Sequence, residues 1–424
     1  MLLYIHVPFC RAKCRYCAFY SRPGADEAAI SAWAKAIDAD LRAWGEALRH
    51  EAGHQGELAP LFFADGSDGT YGQHGLSAAS HGQKARRVTS IFFGGGTPSL
   101  LSPALLGRIL DRAAREFSLA DDIEISMEAN PESVDLRKAC GFLAAGVNRV
   151  SLGVQALDDN LLRAVGRVHS RAVAVNAYES LRRAGFQNVG LDFIWGLPGE
   201  SLAAWRNQLE EAAHLRPDHL SCYGLTLEEG TPLYAERHSL DLPDEATQAA
   251  MYTECGEILE KHGYRQYEIS NYAQPGRECR HNLGYWMGAD YLGLGPSAVS
   301  AMQGTRWSQP DDLDAWLAAP RGQRPGPELC EELSFREQAE ELVMLRLRTA
   351  RGLPLGEYQR FTGRDFAADN AALIEALRAE GLAWLDERPD GQGGPHFALT
   401  RSGMLISNAV IEQCFENIPE APRK

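Results

Sequence analysis

The sequence contains no apolar run of about 18 residues, so no segment of it is a candidate for a membrane-spanning helix. It opens on an apolar stretch with neither a positively charged leader nor a small-residue cleavage site, the pattern expected of a cytoplasmic protein. Basic residues are in deficit: 42 lysines and arginines face 57 aspartates and glutamates, and a formal net charge of −15 argues against nucleic acid as a partner. Cysteine is scarce as well. Nine in 424 residues do not suggest the disulfide framework of a secreted scaffold, and the Cys-x-x-Cys-His string of covalent heme attachment is missing. What remains is a chain 45% hydrophobic, long enough for two or three domains or for one barrel with an appendage. A homodimer and peripheral contact with a membrane are both compatible with that composition.

Three of the few cysteines are bunched. Cys10-x3-Cys14-x2-Cys17 follows residues 2–7, Leu-Leu-Tyr-Ile-His-Val, an apolar stretch that reads as a buried strand ended by Pro8. The spacing suits three irons of one 4Fe-4S cube, leaving the fourth iron free for an exchangeable ligand. A zinc site short of one ligand and three unrelated thiols are the other readings. Structural zinc normally takes four ligands in paired spacings, and no second Cys pair follows here.

Short apolar runs then alternate with amphipathic stretches. Candidate strands cover residues 88–93, 123–127, 149–154, 189–195 and 219–223, making six with the first. Val/Ile/Leu/Phe-rich runs joined by helices predict a parallel sheet covered on both faces. The expected α/β fold is a partial six-stranded (β/α)6 TIM-like barrel over residues 1–304. Ser102-Pro103 and Asp158 mark two helix starts. Residues 52–87 interrupt the pattern with glycines, serines and His54, His74 and His81 at no metal-binding spacing, and read as a mobile surface insertion. From 305 to 424, helices over 337–347, 370–377 and 401–415 accompany a hairpin of 382–385 with 397–399. They predict a small α+β winged-helix-like domain that lacks the basic stripe of a DNA binder.

Two further patterns concentrate at strand ends. Gly94-Gly95-Gly96-Thr97 closes the second strand; consecutive glycines admit a ligand close to the backbone, although a plain turn would explain them equally. Glu128, Gln155 and Asp192 are polar residues at the ends of, or within, otherwise apolar strands, with Arg167 at the end of the helix after Gln155. Each alone could be solvated at a loop. As a set they suggest convergence on one ligand, because buried polar groups need partners.

The cysteine run resembles the signature of the radical S-adenosylmethionine (SAM) superfamily. Tyr4-Ile5-His6-Val7-Pro8-Phe9-Cys10 is similar to its branch containing oxygen-independent coproporphyrinogen III dehydrogenase and related heme chaperones. The resemblance covers roughly residues 1 to 300, with a weaker match over the tail. It implies a partial radical SAM barrel whose open iron chelates SAM. Gly95, Gly96 and Thr97 would hold the methionine part, and Tyr4, Tyr16, Glu128, Gln155, Arg167 and Asp192 would also contact the cofactor. Two functions share that scaffold: a radical oxidoreductase converting coproporphyrinogen propionates to vinyl groups, and a carrier that delivers heme to recipient hemoproteins. The dehydrogenase continues its run with a fourth cysteine, where this chain has Phe19, as in the chaperone branch. Chaperones often carry aspartate where Ala18 stands, a position that supplies no cluster ligand.

Arg280-His281-Asn282-Leu283-Gly284-Tyr285-Trp286 resembles the chaperones' His-Asn-x-x-Tyr-Trp motif and implies heme contact through His281, Asn282, Tyr285 and Trp286. From spacing alone, a structural histidine beside two core aromatics is the preferred reading, and only the resemblance reverses that order. Cys279 reads either as a thiolate ligand or as an inert buried thiol. The reading that follows is a heme chaperone with a 4Fe-4S cluster, SAM and heme, and with no catalytic residue assigned.

Overall fold

Residues Leu2–Val7 (β1) are buried along almost their whole length, as a strand with neighbours on both sides must be. A computed structural model of the chain describes residues 1–24, 26–54, 87–386 and 394–421. β1 pairs in parallel with Val88–Gly95 (β2). Leu119–Ala129 (β3), Arg149–Gln155 (β4), Val189–Trp195 (β5) and His219–Gly224 (β6) follow in chain order, every pair parallel. All six strands read from the apolar runs are therefore present, in the barrel-like order expected of them.

The sheet continues past both edges. Arg265–Glu268 (β7) and Asn271–Ala273 (β8) form an antiparallel pair lying on β6. Tyr291–Leu294 (β9) runs parallel to β1 on its other side. Val299–Met302 (β10), Thr305–Ser308 (β11) and Cys330–Glu332 (β12) then add antiparallel strands beyond it.

Helices cover the sheet where capping signals place them. Glu27–His54 (α1) is followed by Pro103–Glu116 (α2), capped by the Ser102 hydroxyl accepting from Leu105 N–H, with proline at the first helical position. Leu136–Ala144 (α3) precedes Asp159–Ala164 (α4), where Asp158 accepts from Asn160 and Leu161 N–H. Arg171–Ala184 (α5), Leu202–His214 (α6), Glu245–Lys261 (α7) and Arg280–Trp286 (α8) complete the layer used below. Trp33 and Ile37 of α1 and Leu106 of α2 are fully buried with Ile5 and Phe93 in one core. Burying each such side chain contributes about 1.5–3 kcal/mol.

Three expectations need correction. The barrel layer does not end at 304: β11 and β12 hydrogen-bond onto the main sheet, and Trp307 is 1% exposed in the first core, stacked on Trp44 at 5.7 Å. Edge strands are short and mixed in polarity, which gave the change in character read at 305. The second core, which also takes in Tyr252 of α7, is otherwise built from Phe335–Leu347 (α9) onward, a helix opened by a capping box between Ser334 and Glu337. The helix read over 401–415 is two, Arg401–Leu405 and Ser407–Phe415, separated at Ile406. Residues 52–54 belong to α1, and the remainder of the insertion, apart from Arg87, lies outside the described residues, as does the tip of the hairpin. In the C-terminal unit Leu353–Pro354 (β13), Ala383–Asp386 (β14) and His396–Leu399 (β15) form an antiparallel sheet in the order β13-β15-β14, as the hairpin reading expects.

Candidate cofactor site

Cys10, Cys14 and Cys17 are half-buried free thiols on the segment that follows β1. Arg15 fastens that segment from both directions. Its N–H donates to Val165 O at 3.1 Å, its guanidinium to Ala164 O at 2.9 Å and to Glu236 at 2.5 Å, and its carbonyl accepts from Leu233 N–H at 3.0 Å. Burial raises the pKa of the Cys17 thiol, and the charges of Cys14 and Cys10 raise it further against a backbone bond at Phe19. Two of the sulfurs already face donors. Thr97 Oγ1 donates to Cys10 Sγ at 3.5 Å and Arg167 Nη1 to Cys14 Sγ at 3.4 Å. Three such thiols on one loop suit three irons of a cube, and nothing in this donor set opposes it.

A residue not singled out from the sequence joins the two sulfurs. Asn130 Nδ2 donates to Thr97 Oγ1 at 3.1 Å, while its Oδ1 accepts from Arg167 Nη2 at 2.9 Å. Cys10, Thr97, Asn130, Arg167 and Cys14 thus form one continuous hydrogen-bonded belt across the ends of three strands. Arg167 stands beyond the end of α4, in the following loop, and its Nη2 also donates to Gly153 O at 2.6 Å. Its buried Nε has no partner among the described residues, leaving one donor for an anionic group such as the carboxylate of SAM.

Gly95 and Gly96 have a structural cause that precedes any ligand. Gly95 has φ +104°, and a Cβ there would lie 2.5 Å from the His6 ring; at Gly96 it would lie 2.7 Å from Phe9 O. The glycines let β2 meet β1 and the thiol loop at contact distance. Gly95 N–H is then aimed at Glu128, 3.1 Å away. Burial, with the Asp192 charge second, pushes the Glu128 pKa up to about 8. Asp192 is also raised by burial, opposed by Ser221 and Ser151, whose hydroxyls donate to its Oδ1 at 2.6 and 2.9 Å. Two neighbouring carboxylates with raised pKa suit a cationic ligand such as the amino group of SAM, which would relieve both.

Gln155 adopts φ +67° next to a register shift between β4 and β5. A Cβ on Gly153 would meet Gln155 Nε2 at 2.9 Å, Arg167 Nη2 at 3.2 Å and Asn130 Oδ1 at 3.3 Å, so these polar groups converge on one point. A left-handed glutamine at a strand end is backbone strain of the kind that clusters at functional sites. Tyr16 is hydrogen-bonded to Cys14, and burial raises its pKa. Tyr4 stacks on Phe92 with ring centroids 6.3 Å apart, and its hydroxyl bonds His6 Nδ1 at 3.1 Å. The structure therefore brings together every residue expected to contact SAM.

The α8 motif is different. Glu124 accepts from Arg280 and His281 N–H at 3.0 and 3.2 Å, capping the helix with a carboxylate. At the other end Arg346 of α9, itself paired with Glu357, donates to Trp286 O and Met287 O, tying the motif to the C-terminal unit. His281 is 1% exposed, with Nδ1 bonded to Ser90 at 2.7 Å and Nε2 to Tyr285 at 3.0 Å. Burial, then Arg149, pushes its pKa down to about 3, so the ring is neutral. Both ring nitrogens are engaged inside the protein in this arrangement. Asn282, Tyr285 and Trp286 are half-buried around it. Cys279 is the inert alternative: it is fully buried and burial pushes its thiol up to about 12. Phe19, at the position of the absent fourth cysteine, is 70% exposed.

Comparison with known proteins bears on both regions. The Radical SAM superfamily pattern matches residues 77–212, and the HemN C-terminal domain pattern matches residues 333–406, in agreement with the start of the second core. The chain is 34% identical to heme chaperone HemW of Mycobacterium tuberculosis (strain ATCC 25618 / H37Rv), over 96% of this chain and 93% of that protein. It is 33% identical to heme chaperone HemW of Escherichia coli (strain K12), over 97% of each. It is also 32% identical to radical S-adenosyl methionine domain-containing protein 1, mitochondrial, of Mus musculus, over 99% of this chain and 90% of that one. Among solved structures, coproporphyrinogen III oxidase (HemN) from Escherichia coli matches with a TM-score of 0.71 at 23% identity, over 98% of this chain and 89% of that chain, a likeness of fold.

Proposed function

We propose, from the premise that this chain belongs to the HemW/HemN-like family of radical SAM proteins, that it is a heme chaperone with a 4Fe-4S cluster and SAM as resident cofactors. Cys10, Cys14 and Cys17 would hold the cluster. Arg167, Glu128, Asp192, Gln155 and the Gly95–Thr97 turn would hold SAM, with Tyr4 and Tyr16 as walls. When bound, a cluster with an open iron can supply one electron to SAM. The residues themselves bind and orient: Arg167 and Thr97 hold Cys14 and Cys10 in place by hydrogen bonds to their sulfurs, and the two carboxylates would face the cationic part of the ligand.

The observation that carries the chaperone reading is the pairing of Phe19 at the fourth-cysteine position with an intact His-Asn-x-x-Tyr-Trp helix, in a chain similar over nearly its full length to proteins named heme chaperone. Anaerobic heme titration of cluster-loaded protein, followed by transfer to an apo-hemoprotein, tests it. Saturable binding with transfer is expected, and absence of saturable binding overturns it. The completeness of the SAM pocket favours a second reading, a radical oxidoreductase. Formation of protoporphyrinogen from coproporphyrinogen III under reducing anaerobic conditions would establish that alternative; none is expected.

A further inference from the structure

The thiol loop follows the carboxyl end of β1. At the opposite end of the sheet, His214 closes α6 just before β6, and His262 is the C-cap of α7 just before β7. Glu210 and His214 are four residues apart on α6 and share a face. One ligand atom from each of Glu210, His214 and His262 lies within 4.8 Å of the other two.

We propose that Glu210, His214 and His262 form a second metal site, separate from the thiol loop, that takes zinc or a similar borderline divalent cation. Two imidazoles and one carboxylate are a donor set that zinc accepts, with water in the fourth position. Zinc bonds of about 2.0–2.1 Å place neighbouring ligand atoms roughly 3.4 Å apart in a tetrahedron, so the side chains need close by little more than 1 Å. They are half-buried or exposed and can rotate.

The orientation of the rings supports the assignment. His214 Nδ1 is held by the Glu210 carbonyl oxygen at 2.5 Å, which leaves Nε2 as the outward lone pair, the arrangement by which ligating histidines are usually held. His262 Nε2 faces Glu210 Oε2 at 2.8 Å, and the two imidazole centroids are 5.4 Å apart. An ordinary surface ion pair would account for His262 and Glu210, but not for a second imidazole turned to the same point. Both histidines also sit at helix C-termini, where free carbonyls and the helix dipole favour a cation. On binding, Nε2 of the neutral His262 ring presents its lone pair to the metal while Nδ1 carries the ring hydrogen, and the metal takes the place of the His262–Glu210 hydrogen bond. The metal would clamp α6 to α7, which already meet through Trp205 Nε1 donating to Met251 O at 3.0 Å.

The test uses full-length protein with its iron-sulfur cluster loaded, so that the loop thiols are occupied, titrated with zinc by calorimetry and checked by elemental analysis. One zinc per chain beyond the cluster iron is expected, with a rise in Tm of about 3 °C at a hundredfold excess over Kd. His214→Ala and His262→Ala should each weaken binding by about tenfold or more. Glu210→Gln keeps the side-chain shape and should weaken it as well, while His238→Ala should leave it unchanged. Zinc that does not saturate, or that binds His214→Ala and His262→Ala as tightly as wild type, overturns the site. Since the substituted groups lie at the surface, the zinc-free Tm of the variants should stay within about 1 °C of wild type, which separates loss of the ligand from loss of the fold.

Discussion

Two regions of the molecule meet at the same tyrosine and differ in what they leave open. Glu128 of β3 and Tyr285 of α8 both lie close enough to Tyr4 to raise its pKa after burial has done so. Toward the carboxyl ends of the strands, polar groups are left with capacity: Arg167 Nε has no partner among the described residues and Glu128 carries a pKa raised to about 8. Toward the amino ends, His281 has spent both ring nitrogens on Ser90 and Tyr285. Ser90 pairs with Leu2 and Gly95 with Val7, so the His281 anchor lies five residues of strand, roughly 16 Å, from the glycine turn. The first region keeps polar groups with hydrogen-bonding capacity, as the proposed SAM site requires. The second holds a helix against the sheet, and ligation of heme iron by His281 would require one of its two buried hydrogen bonds to open first.

The comparison is broken most completely at the thiols. Cys14→Ser should abolish the brown absorbance and most of the bound iron and sulfide of anaerobically reconstituted protein. Full retention of both would remove the loop from consideration as the cluster site.

On the sealed side the expected effect is on stability. His281→Ala leaves Ser90 and Tyr285 hydroxyls unpaired and opens a void, at a cost of about 2–4 kcal/mol in denaturant unfolding. A histidine that served only as an exposed ligand would show no such loss. The same burial makes a pH prediction. With the folded pKa near 3 and the unfolded value at 6.5, the unfolded chain takes up a proton over that window which the folded chain refuses. His281 therefore stabilises fully above pH 6.5, and the stability falls as pH drops toward 3. His281→Phe should flatten that part of the profile, and an unchanged slope would show that the ring is not sealed.

The smallest effect sharpens the open side. Asn130→Ala cuts the belt between Thr97 and Arg167 while leaving all three thiols in place. Iron content should be unchanged and SAM affinity, read by calorimetry, should fall about tenfold, the worth of one or two displaced hydrogen bonds. Unaltered affinity would reduce Asn130 to a structural turn residue.

Legibility differed along the chain for physical reasons. The six parallel strands were visible because strands buried on both faces are continuous apolar runs, and α2 and α4 were visible because Ser102, Pro103 and Asp158 signal locally. β9 is only four residues, Tyr-Leu-Gly-Leu, too short and glycine-broken to register. Asn130 was overlooked because Asn before Pro reads as a turn; its role depends on Thr97 and Arg167, 33 and 37 residues away. The boundary drawn at 304 failed because pairing of β11 and β12 with the sheet leaves no local mark.

The order of strands, the helix starts and the three-thiol run are properties of the sequence itself, since propensity, capping and ligand spacing act within a few residues. Which polar groups stay open and which are sealed was settled only by tertiary structure. Ser90 and His281 are 191 positions apart, and no local pattern announces that they share a proton. Burial and hydrogen-bond satisfaction depend on what the rest of the chain brings to a point, and those two quantities set the strand-end groups apart from His281 here.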